Sequence, residues 1–345
     1  MRVLFDITHP AIFHFFRVLM HRLVEEGHDV LATARRKDMT VDLLQAHGLP
    51  YVAVGTMGSG LAGLAVELVC RDVQLYRVAR RFRPDVMVGA DGAPWVGHVG
   101  LLLGVPRIVF DQVDNAPIQQ WLGLPFATTI CTGTGYRGNW GREQKHFRGF
   151  LAQAYLSRPY FEPDRGVLQR HGVDPDEPYV VIRLVSWGAN HDIGKKGMDA
   201  DGLRRLVEAV SGRARVFLSS EAPLPDDLQA YRLPVPAEQF HHLLAFADLC
   251  ITEGGTLPAE AAVLGVPVIS CESYDFGYLN ALCDRYGLVM RAADLDEVME
   301  RAWHVLGSDE ARRRHHAAWQ RLAAESDDVA ETMYRVVVGG VVDGR

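Results

Sequence analysis

The sequence predicts an α/β protein built from two doubly wound, parallel-sheet domains in tandem. Short apolar, β-rich runs alternate with helical-period segments along nearly all of the 345 residues, as parallel strands with helical crossovers require. The alternation begins afresh after residue 178. An internal echo links the halves: Pro84-Asp85-Val86-Met87-Val88-Gly89 leads through a glycine turn and a helix to Leu103-Gly104-Val105-Pro106, and Ala247-Asp248-Leu249-Cys250-Ile251-Thr252 leads through Gly254-Gly255 to Leu264-Gly265-Val266-Pro267. In both, a buried strand enters a helix, glycine stops the helix, and proline opens the next strand.

In the first half the strands are expected over 3–7, 29–33, 51–54, 85–89, 107–110 and 128–131, with helices over 12–26, 40–47, 61–82 and 93–103. In the second the strands are expected over 179–184, 215–219, 249–252, 266–270 and 288–290, with helices over 202–210, 239–246, 256–264 and 294–306. Pro159, Pro163, Pro175 and Pro178 break regular structure between the two series. The expected domains are therefore 1–155 and 178–308. A helical tail over 309–345, N-capped at Asp327 or Asp328, could pack back on the first domain.

Composition narrows the function. With 48 % hydrophobic and 23 % charged residues the chain is neither disordered nor fibrous. A net charge of −7 without a long basic run argues against nucleic acid as partner. Arg80, Arg81 and Arg83 close an amphipathic segment, where cations suit a helix C-terminus. The five cysteines contain no C-x-x-C, so a thiolate zinc site or disulfide framework is not indicated and a reducing compartment is expected. Asp6 comes too early for a signal peptide, and the charge-free stretch before Arg107 is too short to span a bilayer. A cytoplasmic protein is expected, with peripheral contact at the inner face of a membrane left open; the oligomeric state is not legible.

Candidate site residues gather at expected strand ends, where doubly wound sheets bind ligands. After the first strand, Thr8 is expected to cap the next helix and Pro10 to sit in its first turn. His9 at that N-terminus would be held neutral by the dipole, as a general base requires; a plain loop histidine is the alternative. His14 starts a polar stripe with Arg17, His21 and Glu25, and could share the same cleft or face solvent. The first turn lacks G-x-G-x-x-G, so nicotinamide and flavin enzymes are disfavoured. A literal match at Gly58, Gly60 and Gly63 follows the wrong strand and reads as a glycine loop or a weak phosphate cradle.

The strongest constellation is Thr252-Glu253-Gly254-Gly255-Thr256-Leu257-Pro258-Ala259-Glu260. Two glycines expose backbone N–H groups where a helix starts, which suits a diphosphate, and Glu260 lies where a carboxylate can accept ribose hydroxyls. A tight strand-to-helix turn is the bland alternative. Arg183 and Ser186 would end the first strand of the same domain, and Lys195 and Lys196 lie in a glycine-rich loop over 187–197. Asp91, Asp111 and Asp114 follow strands of the first domain as base or acceptor-orienting groups, or as turn caps.

These residues resemble the GT-B type of glycosyltransferase, whose architecture is two facing Rossmann-like domains with the active site between them. The opening Asp6-Ile7-Thr8-His9-Pro10-Ala11, followed by His14-Phe15-Phe16, is similar to that of the family called domain of unknown function 354, and the match in length runs end to end. More distantly, residues 84–109 and 247–269 resemble stretches of the lipid II-forming N-acetylglucosaminyltransferases and the non-hydrolysing UDP-N-acetylglucosamine 2-epimerases. The resemblance implies that Gly254, Gly255 and Thr256 hold a nucleotide diphosphate, that Glu260 binds ribose, and that Asp91 matches an epimerase acid, with Asp111 falling near another.

The expectation is an inverting, metal-independent glycosyltransferase using a nucleoside diphosphate sugar, UDP-linked, toward a cell-envelope or glycan acceptor, with no further cofactor. His9 or Asp111 would deprotonate the acceptor. No D-x-D motif of the metal-dependent transferases is recognised, so helix dipole and Arg183 are expected to meet the leaving charge. The rivals are a 2-epimerase and a non-catalytic nucleotide-sugar binder.

Overall fold

The computed structural model describes residues 1–35, 39–55, 60–185, 198–271 and 275–342. Contacts divide the chain into two compact units, one of Met1–Tyr155, Phe276–Tyr278 and Ser326–Arg345, the other of Leu156–Asp275 and Leu279–Glu325.

The first unit holds seven strands: β1 (Arg2–Ile7), β2 (Asp29–Ala34), β3 (Tyr51–Ala53), β4 (Val86–Ala90), β5 (Arg107–Asp111), β6 (Thr129–Thr132) and β7 (Gln144–His146). All pair in parallel, in the order β3-β2-β1-β4-β5-β6-β7. Because β1 and β4 are neighbours, the winding reverses between them, and their carboxyl ends form the switch point where such sheets open a crevice. Val3, Leu4, Phe5 and Ile7 are buried, so β1 is an apolar run covered on both faces.

Its crossovers are α1 (Pro10–Glu25), α2 (Met39–Ala46), α3 (Gly60–Phe82), α4 (Pro94–Leu103) and α5 (Pro117–Gly123). In α1, Ile12, Phe16, Leu19 and Leu23 recur at core spacing, and the Phe16 ring meets Phe5 and Phe110 at 5.3 and 5.8 Å.

The second unit holds β8 (Tyr179–Leu184), β9 (Arg215–Ser220), β10 (Leu249–Thr252), β11 (Val268–Ser270) and β12 (Val289–Arg291), all parallel, in the order β12-β11-β10-β8-β9. Here the switch point lies between β8 and β10. Val180, Ile182, Leu206, Val210, Leu218 and Ile251 are among the residues of the core beneath it.

The strands lie within about two residues of their expected bounds, and β7 is additional; its Gln-Lys-His sequence gives no apolar signal. Two boundaries differ from the sequence-based expectation. Residues 156–177 fold with the second unit, where Val167, Leu168 and Val173 are buried. The tail divides: in the helix Asp309–Glu325, Trp319 donates to the Val263 carbonyl at 2.8 Å, whereas the helix Val329–Val342 packs on α1 and β4. Asp328 caps that last helix through the Glu331 N–H at 2.9 Å, and Asp327 holds Arg148. Among the described residues no helix is long and apolar enough to cross a membrane.

Candidate functional site

In the second unit the turn after β10 sits at the switch point. The Thr252 hydroxyl accepts the Gly254 N–H at 3.0 Å, and Glu253 N–H donates to the Arg183 carbonyl at 3.1 Å. Glu253 is itself buried, its carboxylate accepting Val185 N–H at 3.3 Å and Met198 N–H at 2.5 Å. That carboxylate ties the turn to the chain leaving β8, a role the sequence does not announce because its partners are distant.

Gly254 does not have a positive φ, and among the described residues a Cβ there would meet nothing nearer than Val185 at 3.4 Å. Neither backbone strain nor packing against the described residues therefore calls for glycine at this position, and a bare backbone suits close approach of a ligand. Thr256 stands at the N-cap of the helix Leu257–Leu264 without a side-chain capping bond. Glu260, one turn in, is buried, and its Oε2 lies 3.2 Å from Nε2 of His241, also buried. An ionised Glu260 accepts that N–H, so His241 fixes the carboxylate's rotamer; only folding brings the two residues together. This turn can hold an anion on backbone N–H groups with a carboxylate beside it for hydroxyl groups.

Arg183 has partners of its own at the end of β9. Its guanidinium donates to Ser219 Oγ at 2.7 Å and to Glu221 Oε1 at 2.8 Å, so its charge is already answered along β9. Ser186, Gly58 and the loop over 187–197 lie outside the described residues.

In the first unit, β4 ends in a turn whose residues Asp91, Gly92 and Ala93 have φ values of 53, 79 and 39°. Two non-glycine residues in the left-handed region mark backbone strain of the kind stored at functional sites. The turn is held by Gln119, which donates to the Asp91 carbonyl at 2.6 Å, and by close approach of α5: a Cβ on Gly123 would stand 1.8 Å from the Gly92 carbonyl oxygen.

Strand pairing sets Asp91 beside Asp111, with Asp91 N–H donating to the Phe110 carbonyl at 3.1 Å. Burial, then repulsion from Asp111, pushes the Asp91 carboxyl up to about 8. Burial also raises Asp111, to about 6, opposed by hydrogen bonds from Tyr136 OH at 2.5 Å and Gln120 at 3.1 Å. One buried oxygen of each, Asp91 Oδ1 and Asp111 Oδ1, lacks a hydrogen-bond partner among the described residues. Two adjacent acids with unlike proton affinities and unmet oxygens can move a proton at neutral pH.

Three expected residues take other parts. His9, not Thr8, caps α1: its Nδ1 accepts the Ala11 N–H at 3.2 Å. A neutral imidazole that accepts at Nδ1 carries its proton on Nε2, so in this arrangement His9 offers a donor and not a base. The His14 ring stacks on Tyr155 at 5.5 Å. Asp114 is a bracket, accepting Arg137 Nε at 2.8 Å and Gly277 N–H at 3.0 Å.

Three D-x-D triplets do occur, at Asp174-Pro175-Asp176, Asp199-Ala200-Asp201 and Asp294-Leu295-Asp296. All six carboxylates are engaged, accepting from backbone N–H groups in a turn or at helix starts or from Arg165, Arg204 and Arg205. Sequence reasoning also missed Asp6 and Arg71, a fully buried pair at 2.7 Å beneath the β1 turn, with Arg71 over the Trp95 ring at 4.8 Å.

Fold and strand-end sites together define an α/β protein of the GT-B type. The chain belongs to the family described as "Protein of unknown function (DUF354)", whose model matches residues 1–338. It is 24 % identical over 279 residues to an uncharacterised protein of Methanocaldococcus jannaschii, covering 77 % of this chain and 80 % of that one. It is 32 % identical over 121 residues to the UDP-N-acetylglucosamine--N-acetylmuramyl-(pentapeptide) pyrophosphoryl-undecaprenol N-acetylglucosamine transferase of Tolumonas auensis, spanning 33 % of this chain and 34 % of that enzyme.

Among solved structures it is similar to one from Listeria monocytogenes described as a UDP-N-acetylglucosamine 2-epimerase (TM-score 0.71, 14 % identity, 99 % and 97 % of the two chains). It is also similar to the spinosyn forosaminyltransferase SpnP (0.66, 17 %, 99 % of both) and to the glycosyltransferase VinC in complex with dTDP (0.62, 16 %, 100 % and 99 %). At these identities the structural likeness concerns the fold.

Proposed function

We propose that the protein is an inverting, metal-independent glycosyltransferase that takes a sugar from a nucleoside diphosphate sugar, UDP-linked, and passes it to a glycan or cell-envelope acceptor. The observation that carries the reading is the turn after β10: a Gly254 that packing among the described residues does not require, a Thr256 without a side-chain capping bond, and a Glu260 oriented by His241. The likeness in sequence to a transferase named for UDP-N-acetylglucosamine supports a uridine donor.

In this reading Gly254, Gly255 and Thr256 hold the diphosphate and Glu260 accepts from ribose. The N-terminus of the helix Leu257–Leu264, in place of Arg183, meets the charge that grows on the leaving group. Inversion needs one base that removes the acceptor proton as the acceptor oxygen attacks the anomeric carbon opposite the departing diphosphate. Asp111 fits that task, being ionised at neutral pH with a proton affinity near the working range, while Asp91 stays protonated beside it.

The pair of acids also favours a second reading, a 2-epimerase, which needs groups that give and take protons on a sugar ring. The two separate on donor alone: turnover of UDP-N-acetylglucosamine without acceptor, followed by NMR, indicates the epimerase, whereas dependence on added acceptor indicates the transferase. Titration calorimetry tests the donor site, with Glu260→Ala expected to weaken UDP binding about tenfold or more, on the scale of a hydrogen bond to a charged group. Unchanged affinity would sink the assignment.

A further inference from the structure

Among the described residues, eight of the twelve large apolar side chains that stand exposed lie on α3, α4 and α5, three helices consecutive in the chain. Scattered exposed apolar residues are ordinary; their concentration on one packed face is not. The most exposed are Leu102 on α4 at 73 %, and Ile118 and Trp121 on α5 at 75 % and 69 %. His98 makes the three helices one surface, its ring bonding Asp72 of α3 at 3.0 Å and the Leu122 carbonyl of α5 at 2.8 Å.

The α3 face changes character along its length. Val66, Val69, Val73, Arg77 and Arg80 follow one another at spacings of three and four residues, which keeps them on one side of the helix. Arg77, Arg80 and Arg81 are exposed and make no ion pair with another described residue. In the same unit Arg22, Arg35, Arg71 and Arg148 each hold a carboxylate. The acids of the three helices, Glu67 and Asp72, are taken by Arg35 and His98. The face is thus apolar, carries a tryptophan, and bears a row of cations that nothing within it answers.

We propose that this face binds the surface of an anionic lipid bilayer, with Trp121, Ile118, Leu101 and Leu102 entering the headgroup boundary and Arg77, Arg80 and Arg81 meeting lipid phosphates. Tryptophan suits that boundary, and unpaired arginines gain most against a negative surface. A second copy of the chain is disfavoured, because the face offers no uncommitted acid to the arginine row of a partner.

The test is flotation of the full chain with vesicles of phosphatidylcholine alone or with about 30 % phosphatidylglycerol, in low and high salt, alongside sedimentation velocity without lipid. The wild type is expected to float with the anionic vesicles at least tenfold more strongly than with neutral ones, and salt is expected to weaken this. Arg77→Glu with Arg80→Glu should abolish the preference for anionic lipid, and Leu102→Ser with Trp121→Ser should weaken binding to both at least tenfold. All these positions are exposed, so unfolding midpoints should stay near wild type. Wild-type protein that floats with neither vesicle, or double variants that float as wild type does, would overturn the proposal. So would a lipid-indifferent wild-type dimer that Leu102→Ser with Trp121→Ser turns into a monomer.

Discussion

Asp91 and Asp111 are the residues at which stability and the proposed chemistry meet. Both carboxyls hold their protons to a higher pH in the folded chain, about 8 and about 6, than the roughly 3.9 of an unfolded aspartate. The native state therefore binds extra protons between those values. The pair stabilises the fold toward acid and costs stability as pH rises from about 4 through 8. Asp91→Asn, which removes the repulsion, should raise the unfolding midpoint at pH 8.5 by a few degrees and change it little at pH 5, given about 2–4 °C per kcal/mol for a chain of this size. Parallel pH curves for the two proteins would contradict the assignment. For the proposed activity the sign is opposite: a base at Asp111 has to be ionised, so kcat/KM should rise through about pH 6 and fall about 10²-fold or more in Asp111→Asn. What was legible here was the position of each acid at a strand end. The burial, the left-handed backbone at Asp91 and the switch of the α1 cap from Thr8 to His9 were not, because each depends on contacts remote in sequence.

At the scale of elements, the alternation of apolar runs located the strands because both faces of a parallel sheet are buried, whereas β7 stayed hidden by its polarity. Glycines show which turns serve the fold and which lie open. Gly123 and Gly277 admit no side chain, since a Cβ would stand 1.8 Å from the Gly92 oxygen and 2.0 Å from the Gly135 oxygen respectively. Gly123→Ala should destabilise the chain by about 1–3 kcal/mol in urea unfolding, and should reduce activity by moving the Asp91 turn. Gly254→Ala should leave the unliganded protein within about 0.5 kcal/mol of wild type, because among the described residues its Cβ meets nothing nearer than 3.4 Å. Equal losses in the two variants would mean that Gly254 serves packing after all.

At the scale of the whole chain, the restart of the alternation and the internal echo made two units legible and the helical tail suggested a return to the first, but neither the point where the tail divides nor the side taken by residues 156–177 could be read. The structure shows that the helix Asp309–Glu325 stays with the second unit while the helix Val329–Val342 returns to the first. There Arg22 holds Glu331 at 2.6 Å, Tyr334 bonds Glu26 at 2.5 Å, and Val329, Met333 and Val337 are buried. Ending the chain at Glu325 should lower the unfolding midpoint by many degrees and open α1 to protease; an unchanged midpoint would show that the return is dispensable.

The claim on which the account rests is a nucleotide diphosphate site at Gly254–Glu260, and thermal unfolding with UDP, GDP, TDP and CMP, free and sugar-linked, tests it most directly. A ligand at about 100 times its dissociation constant adds roughly 2.7 kcal/mol, enough to move the midpoint by several degrees. A uridine nucleotide is expected to raise the wild-type midpoint, and Gly254→Ala and Glu260→Ala are expected to abolish the rise, with Gly254→Ala otherwise melting like wild type. A wild type that no nucleotide shifts, or variants that shift as far as wild type does, would contradict the claim.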